Sequence, residues 1–294
     1  MTGFMGWKRF RGIVVAVCVV ALAGCARPKT GVHYTYDIQS TGCCTLVAHA
    51  GGSIDGNPYT NSRQALLLSI SNGFHLIEMD FSQTSDGDWF VTHDWKGWAL
   101  HTGYQGKFPP TTGAVVALQD DFKVADPEPP VPNMRIPGTY SILSLHQLID
   151  VLATYPRVQI ITDTHNIKEA MELIRVLKGT PVFMQFVFQV YSMDELKQAA
   201  EVVPERQLIL TTYLMQDWYV PNGFDAGFLS QLRKYPHLFA LTMPMYTAAQ
   251  RAKMERLKNA LSIPILVHGS PKFINDRNLH SQLAEWGVNG IYVD

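Results

Sequence analysis

Phe74-His75-Leu76-Ile77-Glu78-Met79-Asp80 is an apolar run that ends in two carboxylates, one residue apart. If the run is a β-strand, residues two apart point to the same face, so Glu78 and Asp80 lie side by side. Two negative charges that close are unfavourable unless a proton or a cation lies between them. A hard divalent cation would neutralise both, so the stretch predicts a strand that ends at a metal site.

Histidines end two other short apolar runs, one on each side of this stretch in the sequence. His49 follows residues 46–48, and His93 follows residues 89–92. Two imidazoles beside a metal could supply the acid and the base that cleave a phosphodiester. The combination predicts a metal-assisted phosphodiesterase site.

Short apolar runs alternate with helical patterns from residue 44 onward, and this alternation predicts a parallel sheet. The predicted strands are residues 44–48, 74–81, 89–92, 158–162, 182–188, 207–212, 238–243, 263–267 and 290–293. The predicted helices are residues 62–72, 144–155, 168–178, 193–202, 228–235, 248–261 and 276–286. In a chain of 294 residues, the pattern favours an α/β fold with a single (β/α)8 TIM-type barrel over residues 43–294. Nine strands compete for eight positions, so either one lies outside the barrel or residues 82–88 make a local excursion.

One long segment, residues 95–140, interrupts this alternation directly after the third predicted strand. It contains seven prolines: Pro109, Pro110, Pro127, Pro129, Pro130, Pro132 and Pro137. Long segments without regular elements inside a compact domain are usually functional or disordered. Because the segment follows His93, we expect an insertion over the barrel mouth that shapes a substrate pocket. The alternative is a packed subdomain without that role.

The composition describes an ordinary globular protein and argues against one class of partner. Hydrophobic residues make up 47% of the chain, charged residues make up 17%, and the formal net charge is −1. No run of Lys or Arg follows residue 24. We therefore expect no nucleic acid as a partner.

The N-terminal residues 1–24 are predicted to be a lipoprotein signal peptide. Basic residues precede an apolar stretch, residues 13–22, that is too short for a permanent membrane span. Leu22-Ala23-Gly24-Cys25 resembles a bacterial lipobox, which implies that Cys25 becomes the lipidated first residue of the mature chain. A plain secretory signal or an N-terminal anchor is the alternative.

The lipobox resemblance also implies a location, the outer membrane facing the periplasm, because Ala26 follows the cysteine. Residues 25–42 are polar and aperiodic, and we predict that they form a tether between the lipid and the barrel. Two cysteines follow the tether, Cys43 and Cys44. We expect both to be structural thiols, since adjacent cysteines rarely bond each other.

Five residues suited to phosphodiester chemistry fall at the carboxyl ends of predicted strands, where barrel enzymes place their sites. They are His49, Glu78, Asp80, His93 and Asp163. Asp163 could instead cap the helix that follows it. Asn61 could contact the metal or the substrate, or it could cap the helix predicted to start at residue 62.

Several motifs taken together resemble the glycerophosphodiester phosphodiesterase family of phospholipase C-like phosphodiesterase barrels. They are His49-Ala50-Gly51, Asn61, Glu78-Met79-Asp80, Thr84-Ser85-Asp86-Gly87, His93-Asp94 and the closing stretch Gly287–Asp294. The resemblance implies that Glu78, Asp80 and Asp163 are metal ligands and that His49 and His93 are catalytic. It further implies Mg²⁺ or Ca²⁺ as the cofactor and a small phosphodiester or phospholipid as the substrate, cleaved by hydrolysis or by cyclisation.

The chain departs from the family pattern at three positions. Ala50 stands where the family has Arg, Thr60 where it has an acidic residue, and His165 where it has Lys. Two phosphate-binding cations are therefore missing, and His165, His268 and Lys272 are the candidates to replace them at the substrate. The departures leave a lipid head-group phosphodiester open as the substrate, beside a glycerophosphodiester.

Two other functions stay open on the sequence. A non-catalytic lipoprotein could bind phosphorylated or lipid ligands in the same pocket, because the Arg and Lys are missing. A structural envelope protein could use the same residues only as polar contacts of the barrel. We place the phosphodiesterase first, because five suitable residues converge at predicted strand ends.

Overall fold

The structure is a computed structural model, and it describes residues 44–54, 56–123, 139–215, 223–244, 248–268 and 277–294. Outside these ranges lie the predicted signal peptide of residues 1–24, the tether of residues 25–42, Cys25, Lys272 and residues 124–138 of the insertion. None of the described helices combines the length and the hydrophobicity that crossing a membrane requires.

Eight parallel strands form a closed barrel, which confirms the predicted fold. The described strands are β1 (Thr45–Ala48), β2 (Leu76–Gln83), β3 (Trp89–Val91), β4 (Phe122–Lys123), β5 (Thr139–Tyr140), β6 (Leu143–Ser144), β7 (Gln159–Asp163), β8 (Phe186–Val190), β9 (Leu208–Thr211), β10 (Ala240–Pro244), β11 (Ile265–His268) and β12 (Gly290–Val293). The barrel consists of β1, β2 and β7 to β12. Parallel pairing of β1 with both β2 and β12 closes it.

Helices follow or connect these strands, and all of the described helices except α2 and α3 lie at or near predicted positions. Those described are α1 (Arg63–Ser71), α2 (Trp95–Thr102), α3 (Thr112–Ala117), α4 (Leu145–Thr154), α5 (Ile167–Leu177), α6 (Met193–Ala200), α7 (Ala226–Leu232), α8 (Ala248–Ala260) and α9 (Arg277–Trp286). A polar side chain accepts a first-turn backbone N–H at the start of most of them: Ser62, Asp94, Thr111, Ser144, Asn166, Ser192 and Asp225. Capping side chains, as well as apolar periodicity, therefore determine where these helices begin.

Nine strands were predicted for eight barrel positions, and β3 is the one that lies outside the barrel. It pairs antiparallel with the end of β2, with Phe81 opposite Val91, and β6 pairs antiparallel with its other edge. The connection from β2 is a tight turn in which the backbone N–H of Thr84 donates to the carbonyl of Asp88. The insertion thus follows the third strand of the chain, as predicted, but only the second strand of the barrel.

The fourth barrel strand starts later than predicted. We expected it at residues 182–188, whereas β8 spans Phe186–Val190 and a 3-10 turn occupies Phe183–Gln185. The run is apolar throughout and lacks the alternation that marks a strand boundary, so a turn inside it leaves no signal.

The alternation of side chains along β2 directs its carboxylates into the barrel. Leu76 belongs to an apolar cluster built from strand residues and residues flanking them, inside the barrel, whereas Ile77 and Met79 pack with helix residues outside it. Glu78 and Asp80 share the parity of Leu76 and therefore point inward. The parallel register with β7 then sets Asp80 beside Asp163.

The described part of the insertion packs around an apolar core that it shares with β3 and with Ile142. Buried side chains form this core: Phe90, Trp95, Trp98, Ala99, Val115, Tyr140 and Ile142. The Trp95 indole N–H also donates to the carbonyl of Gln83 at 2.9 Å, which fastens α2 to β2. The expectation that residues 95–140 lack regular elements is wrong, because its aromatic and aliphatic residues bury one another around α2 and α3.

Cys44 forms a disulfide, so the expectation of a free thiol at this position is wrong. The other cysteines, Cys18, Cys25 and Cys43, lie outside the described residues. Disulfides persist in oxidising compartments and are rare in the cytosol.

Candidate active site

Three carboxylates converge in the mouth of the barrel. Oxygen atoms of Glu78, Asp80 and Asp163 all lie within 4.8 Å of one another, and the first two residues are buried. Oxygen donors at this spacing fit a hard cation such as Mg²⁺ or Ca²⁺. The structure thus brings together the three residues predicted to bind metal, and their role as ligands stays a prediction.

The electrostatics of this carboxylate cluster favour a bound cation or proton. Burial, followed by the charges of Asp80 and Asp163, raises the pKa of Glu78 well above its usual value. Burial and the charge of Asp80 raise the pKa of Asp163 from 3.8 to about 6. Without a cation, the cluster therefore retains protons at pH values where an exposed carboxyl group is ionised.

The loop between β1 and α1 holds Glu78 through the backbone. Three non-glycine residues in it have left-handed backbone, Ala50, Tyr59 and Asn61, with φ of 49°, 62° and 50°. Such conformations cost energy and concentrate at functional sites. At Ala50 this conformation accompanies a 2.8 Å hydrogen bond that the backbone N–H donates to Glu78 Oε2. Backbone therefore contacts the carboxylate where the family resemblance leads us to expect an Arg residue.

Asn61 holds Asp80 with both ends of its amide. Its Nδ2 donates to Asp80 Oδ2 at 2.7 Å, and its Oδ1 accepts from the backbone N–H of Asp80 at 3.0 Å. The alternative that Asn61 caps α1 is wrong, because Ser62 occupies that position and accepts from the backbone N–H of Ala65. Asn61 thus positions a predicted metal ligand, and its predicted contact with the substrate stays untested.

His49 lies at the end of β1, at the start of a 3-10 turn, His49–Gly51. Its Nδ1 is 3.0 Å from Asp294 Oδ1, and its Nε2 is 3.8 Å from Glu78 Oε2. A carboxylate at Nδ1 fixes the ring orientation, so Nε2 is the nitrogen that faces the carboxylate cluster. The side chain is 26% exposed, which leaves this nitrogen within reach of a ligand.

His93 lies just beyond β3, with its side chain 76% exposed and its Nδ1 3.0 Å from Asp94 Oδ2. Partial burial lowers the pKa of His93, but the hydrogen bond to Asp94 and the charges of Asp80, Asp94 and Asp163 outweigh it, so the pKa is raised. More of this imidazole is protonated near neutral pH than is usual for histidine. The protonated ring is suited to donate a proton.

Tyr191 orients Asp163 from the neighbouring strand. Its hydroxyl donates a short hydrogen bond to Asp163 Oδ1 and accepts one from Gln189 Nε2 at 2.6 Å. The alternative that Asp163 caps the following helix is wrong, because Asn166 is the residue that caps α5. Asp163 is thus held in the barrel mouth rather than at a helix start.

Two adjoining cavities open beside the carboxylates. The first, the His93 cavity, has a volume of about 170 Å³ and is lined by Asp80, Phe81, His93, Asp163, Thr164, His165, Tyr191, Tyr213 and Leu214. The second, the His49 cavity, has a volume of about 270 Å³ and is lined by His49, Tyr59, Glu78, Asp163, Gln189, Tyr213, Pro244, His268, Tyr292 and Asp294. The cavities share Asp163 and Tyr213. Because His93 lines the first and His49 lines the second, the two histidines approach the carboxylates from different cavities. Residues 95–123 of the insertion line neither, and its predicted role in shaping the pocket stays a prediction.

The candidates to replace the missing cations fare differently. His165 lines the His93 cavity, with its ring centroid 6.3 Å from that of His93 and its Nδ1 3.1 Å from Glu169 Oε2. Burial and the charge of His49 lower the pKa of His268 to about 3, so His268 is neutral and replaces no cation. Lys272 lies outside the described residues. Among the described residues that line the two cavities, none is Lys or Arg.

Sequence reasoning missed four residues of this site: Tyr59, Tyr191, Tyr213 and Asp294. Tyr191 directly follows β8, and placing that strand correctly would have marked it as a strand-end residue. Asp294 was noticed only as part of the closing stretch, although it follows β12 as Asp163 ends β7. Tyr213 directly follows the strand predicted at residues 207–212 and thus also carries a strand-end signal, whereas Tyr59 carries none beyond its position in a loop.

No protein-family model matches the sequence, and no curated protein matches it. Solved structures do match by fold. A glycerophosphodiester phosphodiesterase from Thermotoga maritima superposes with a TM-score of 0.60 at 15% identity, covering 85% of this chain and 94% of that one. Another from Parabacteroides distasonis gives 0.57 at 15% identity, covering 86% and 93%.

A phosphodiesterase from Oleispira antarctica, solved in complex with the product sn-glycerol-3-phosphate, gives a TM-score of 0.58 at 17% identity, covering 87% of this chain and 94% of that one. At identities this low, the likeness establishes architecture. The chain shares its (β/α)8 barrel with solved glycerophosphodiester phosphodiesterases.

Proposed function

We propose that the protein is a divalent-metal-dependent phosphodiesterase that cleaves a glycerophosphodiester or a related lipid-derived phosphodiester. The observation that carries the proposal is the carboxylate cluster of Glu78, Asp80 and Asp163, flanked by His49 in one cavity and His93 in the other. The shared fold with solved glycerophosphodiester phosphodiesterases supports it.

The three carboxylates would hold Mg²⁺ or Ca²⁺. When bound, such a cation neutralises the charge that develops on a phosphoryl group. Asn61 and Tyr191 keep Asp80 and Asp163 turned toward the cation through their hydrogen bonds. The backbone N–H of Ala50 does the same for Glu78.

The two histidines would divide the proton transfers. His49, with Nδ1 held by Asp294, offers Nε2 as a base that removes a proton from the attacking hydroxyl of water or of the substrate. His93, whose pKa is raised, donates a proton to the leaving oxygen. Each histidine faces the cluster from its own cavity, so the attacking and leaving oxygens need not compete for one ring.

An assay of several phosphodiesters with and without chelator tests this function. We expect turnover of at least one glycerophosphodiester or lipid head-group diester, loss of turnover with chelator, and recovery with added Mg²⁺ or Ca²⁺. Turnover that persists without metal, or its absence on every diester, would contradict the proposal.

Single histidine variants test the assigned roles. His49→Ala and His93→Ala should each lower kcat by roughly 10²-fold or more, the usual contribution of a general acid or base. His146→Ala, at an exposed position on α4, is the matched control and should leave kcat unchanged. Full activity of either test variant would remove that residue from the mechanism.

A second candidate is a non-catalytic protein that binds phosphorylated or lipid ligands in the same cavities. The absence of Lys and Arg among the described lining residues favours it. Tight binding of metal and of a phosphodiester, with no product after prolonged incubation, would support this candidate. Steady product release would exclude it.

We further propose that Cys25 carries lipid and anchors the protein in the outer membrane, facing the periplasm. The disulfide at Cys44 supports an oxidising compartment. Cys25→Ser should abolish incorporation of a labelled fatty acid and release the protein from the membrane fraction. Cys18→Ser, within the predicted signal peptide, should change neither.

A further inference from the structure

We propose that the end of the barrel opposite the carboxylate cluster binds an anionic phospholipid surface, so that the barrel mouth opens away from the membrane. The surface concerned is built on the connections that lead from the helices back to the barrel strands. It is separate from the proposed active site, because none of its cations lines the His49 or the His93 cavity.

Seven connections in the described residues lead from a helix to the next barrel strand: residues 72–75, 155–158, 178–185, 201–207, 233–239, 261–264 and 287–289. In a (β/α)8 barrel, such connections lie at the amino ends of the strands, opposite the mouth. These seven contain five Lys or Arg residues and two Glu residues. We define the basic face as the exposed cations of the connections, together with Lys258 in the last turn of α8: Arg157, Lys178, Arg206, Arg233, Lys234 and Lys258.

Contacts between neighbouring connections join these cations into one surface. Lys178 Nζ donates to a backbone carbonyl of the connection before β9 at 3.4 Å. Arg233 Nε donates to the carbonyl of Ala260 at the end of α8, also at 3.4 Å. The side chain of Lys258 packs over Gly287, where it leaves no room for a Cβ atom. The cations are far apart in the sequence, so no run of Lys or Arg announces the surface.

The two ends of the barrel differ in charge. On the basic face, the six cations exceed the carboxylates beside them, which are those of Glu201, Glu205 and Glu285. Arg233 and Lys234 form no ion pair with another described residue. The mouth instead holds the carboxylate cluster, and its described lining residues include no Lys or Arg. An anionic bilayer attracts the first end and repels the second.

The chain also joins the barrel at the basic face. The backbone N–H of Thr45, where β1 begins, donates at 2.9 Å to the carbonyl of Asn289, in the same connection as Gly287. A lipid at Cys25 would therefore hold this end near the bilayer. Residues 25–42 can extend to roughly 60 Å, so the lipid alone leaves the orientation of the barrel open. Attraction of the basic face to anionic head groups sets that orientation.

Acetylation of lysines, read by mass spectrometry, tests which end of the full-length protein contacts a membrane. The comparison is between vesicles of phosphatidylglycerol with phosphatidylcholine and vesicles of phosphatidylcholine alone. With the anionic vesicles, Lys178 and Lys258 should react roughly fivefold more slowly, whereas Lys96 and Lys168 near the mouth should react at an unchanged rate. Lys168 and Lys178 flank the two ends of α5 and thus form a matched pair on one helix. Salt at about 1 M, where the Debye length is about 3 Å, should abolish the difference.

Charge reversal locates the contact. The double variant Arg233→Glu with Lys234→Glu should weaken binding to anionic vesicles roughly tenfold or more and restore the reactivity of Lys178 and Lys258. The double variant Lys96→Glu with Lys168→Glu makes the same change in net charge near the mouth and should alter neither. Faster acetylation of every lysine would identify a variant that unfolds, and Arg233→Gln with Lys234→Gln would then replace it.

Three results would overturn the proposal. The first is equal reactivity of all four lysines with both kinds of vesicle, and the second is slowing of Lys96 and Lys168 instead. The third is equal slowing of Lys178 and Lys258 by polyglutamate in solution, which would assign the basic face to an acidic protein. Because none of these measurements needs turnover, failure of the membrane contact and failure of the phosphodiesterase proposal are observed separately.

Discussion

Asn61 is the residue whose side chain couples the β1–α1 loop to the predicted metal ligands. Both ends of its amide bond Asp80, at 2.7 and 3.0 Å, and its backbone has a left-handed φ of 50°. Residues that orient a ligand in this way typically contribute 10- to 100-fold to metal affinity.

Asn61→Gly removes the amide while suiting the backbone conformation, so it isolates the side chain's contribution. We expect Mg²⁺ or Ca²⁺ to bind about 10- to 100-fold more weakly, measured by calorimetry. Asn72→Gly, at the exposed end of α1, is the control for replacing asparagine with glycine. Equal metal affinities in the two variants would show that Asp80 needs no such support.

Asp94 offers a test of the acid role through pH. It accepts from the backbone N–H of Gly97 at the start of α2 and also bonds His93 Nδ1. Asp94→Asn retains the helix cap, since Asn caps as well as Asp, but removes the charge that favours the imidazolium. The pKa of His93 should fall, so the protonated acid is lost at lower pH.

The alkaline limb of the kcat profile should therefore move to lower pH by roughly one unit or less. Asp225→Asn, which alters the corresponding cap of α7, should leave the profile in place. A limb that moves to higher pH, or not at all, would assign the acid role to another group.

At the residue scale, the sequence predicted which residues converge at the mouth of the barrel, but not the residues that hold them in place. His49 and Asp163 lie at or next to strand ends, as predicted, and His93 lies two residues beyond β3. Glu78 and Asp80 lie within β2, which continues to Gln83, and parity alone places these two together. The contacts of Tyr191 and Asp294 join residues 28 and 245 positions apart. The first contact joins the neighbouring strands β7 and β8, and the second depends on the pairing of β1 with β12 that closes the barrel. No local pattern encodes either pairing.

Among the elements, the antiparallel pair β2–β3 connects the barrel to the insertion. It extends β2 beyond the barrel, carries His93 at its end and starts the insertion. The insertion then folds around Trp98, which is 1% exposed and contacts the rings of Trp95 and Tyr104 at 5.6 and 5.3 Å. The fold of the insertion therefore depends on this apolar core, to which Phe90 of β3 and Ile142 also contribute.

Trp98→Ala should lower the free energy of unfolding of this unit by about 3 kcal/mol, because it leaves a large cavity in a small core. Limited proteolysis should detect the change as faster cleavage within residues 95–123. Leu100→Ala, on the same helix and 80% exposed, is the matched control. Equal cleavage rates in the two variants would contradict an independent core.

Most elements of the barrel were predictable because short apolar runs alternate with helical patterns along the chain, and those of the insertion were not. α4 and α5 show apolar periodicity and capping residues, and the predicted bounds of both are within one residue of the observed bounds at each end. α2 and α3 are short, and prolines surround them. Their stability comes from aromatic residues such as Trp98, which contact one another only in the folded unit. The local sequence pattern therefore predicts a loop there.

The free energy of unfolding of the whole barrel depends on the protonation of its carboxylate cluster. Folding raises the pKa of Asp163 from 3.8 to about 6, so the folded state binds a proton more tightly than the unfolded state. The stability contributed by this proton is fully present below pH 3.8 and is lost as pH rises through about 6. Glu78, whose pKa is also raised, contributes in the same direction.

Without metal, the melting temperature should therefore contain a component that decreases as pH rises from about 4 to about 7. A divalent cation at about 100 times its Kd should restore about 2.7 kcal/mol at the upper end of this range. Asp163→Asn should reduce both effects, and Asp150→Asn, at an exposed position on α4, should change neither. If the melting temperatures of the metal-free wild-type protein and of Asp163→Asn rise together through this pH interval, the raised pKa of Asp163 is contradicted.

The position of β3 outside the closed sheet has an evolutionary consequence. The three carboxylates predicted to bind a cation lie on strands of the closed barrel, whereas His93 lies beyond β3, where the insertion begins. A change in the length or packing of the insertion would therefore reposition His93 and leave the barrel strands and their carboxylates unchanged. We therefore expect natural variation to be tolerated better at this edge of the molecule than in the barrel strands.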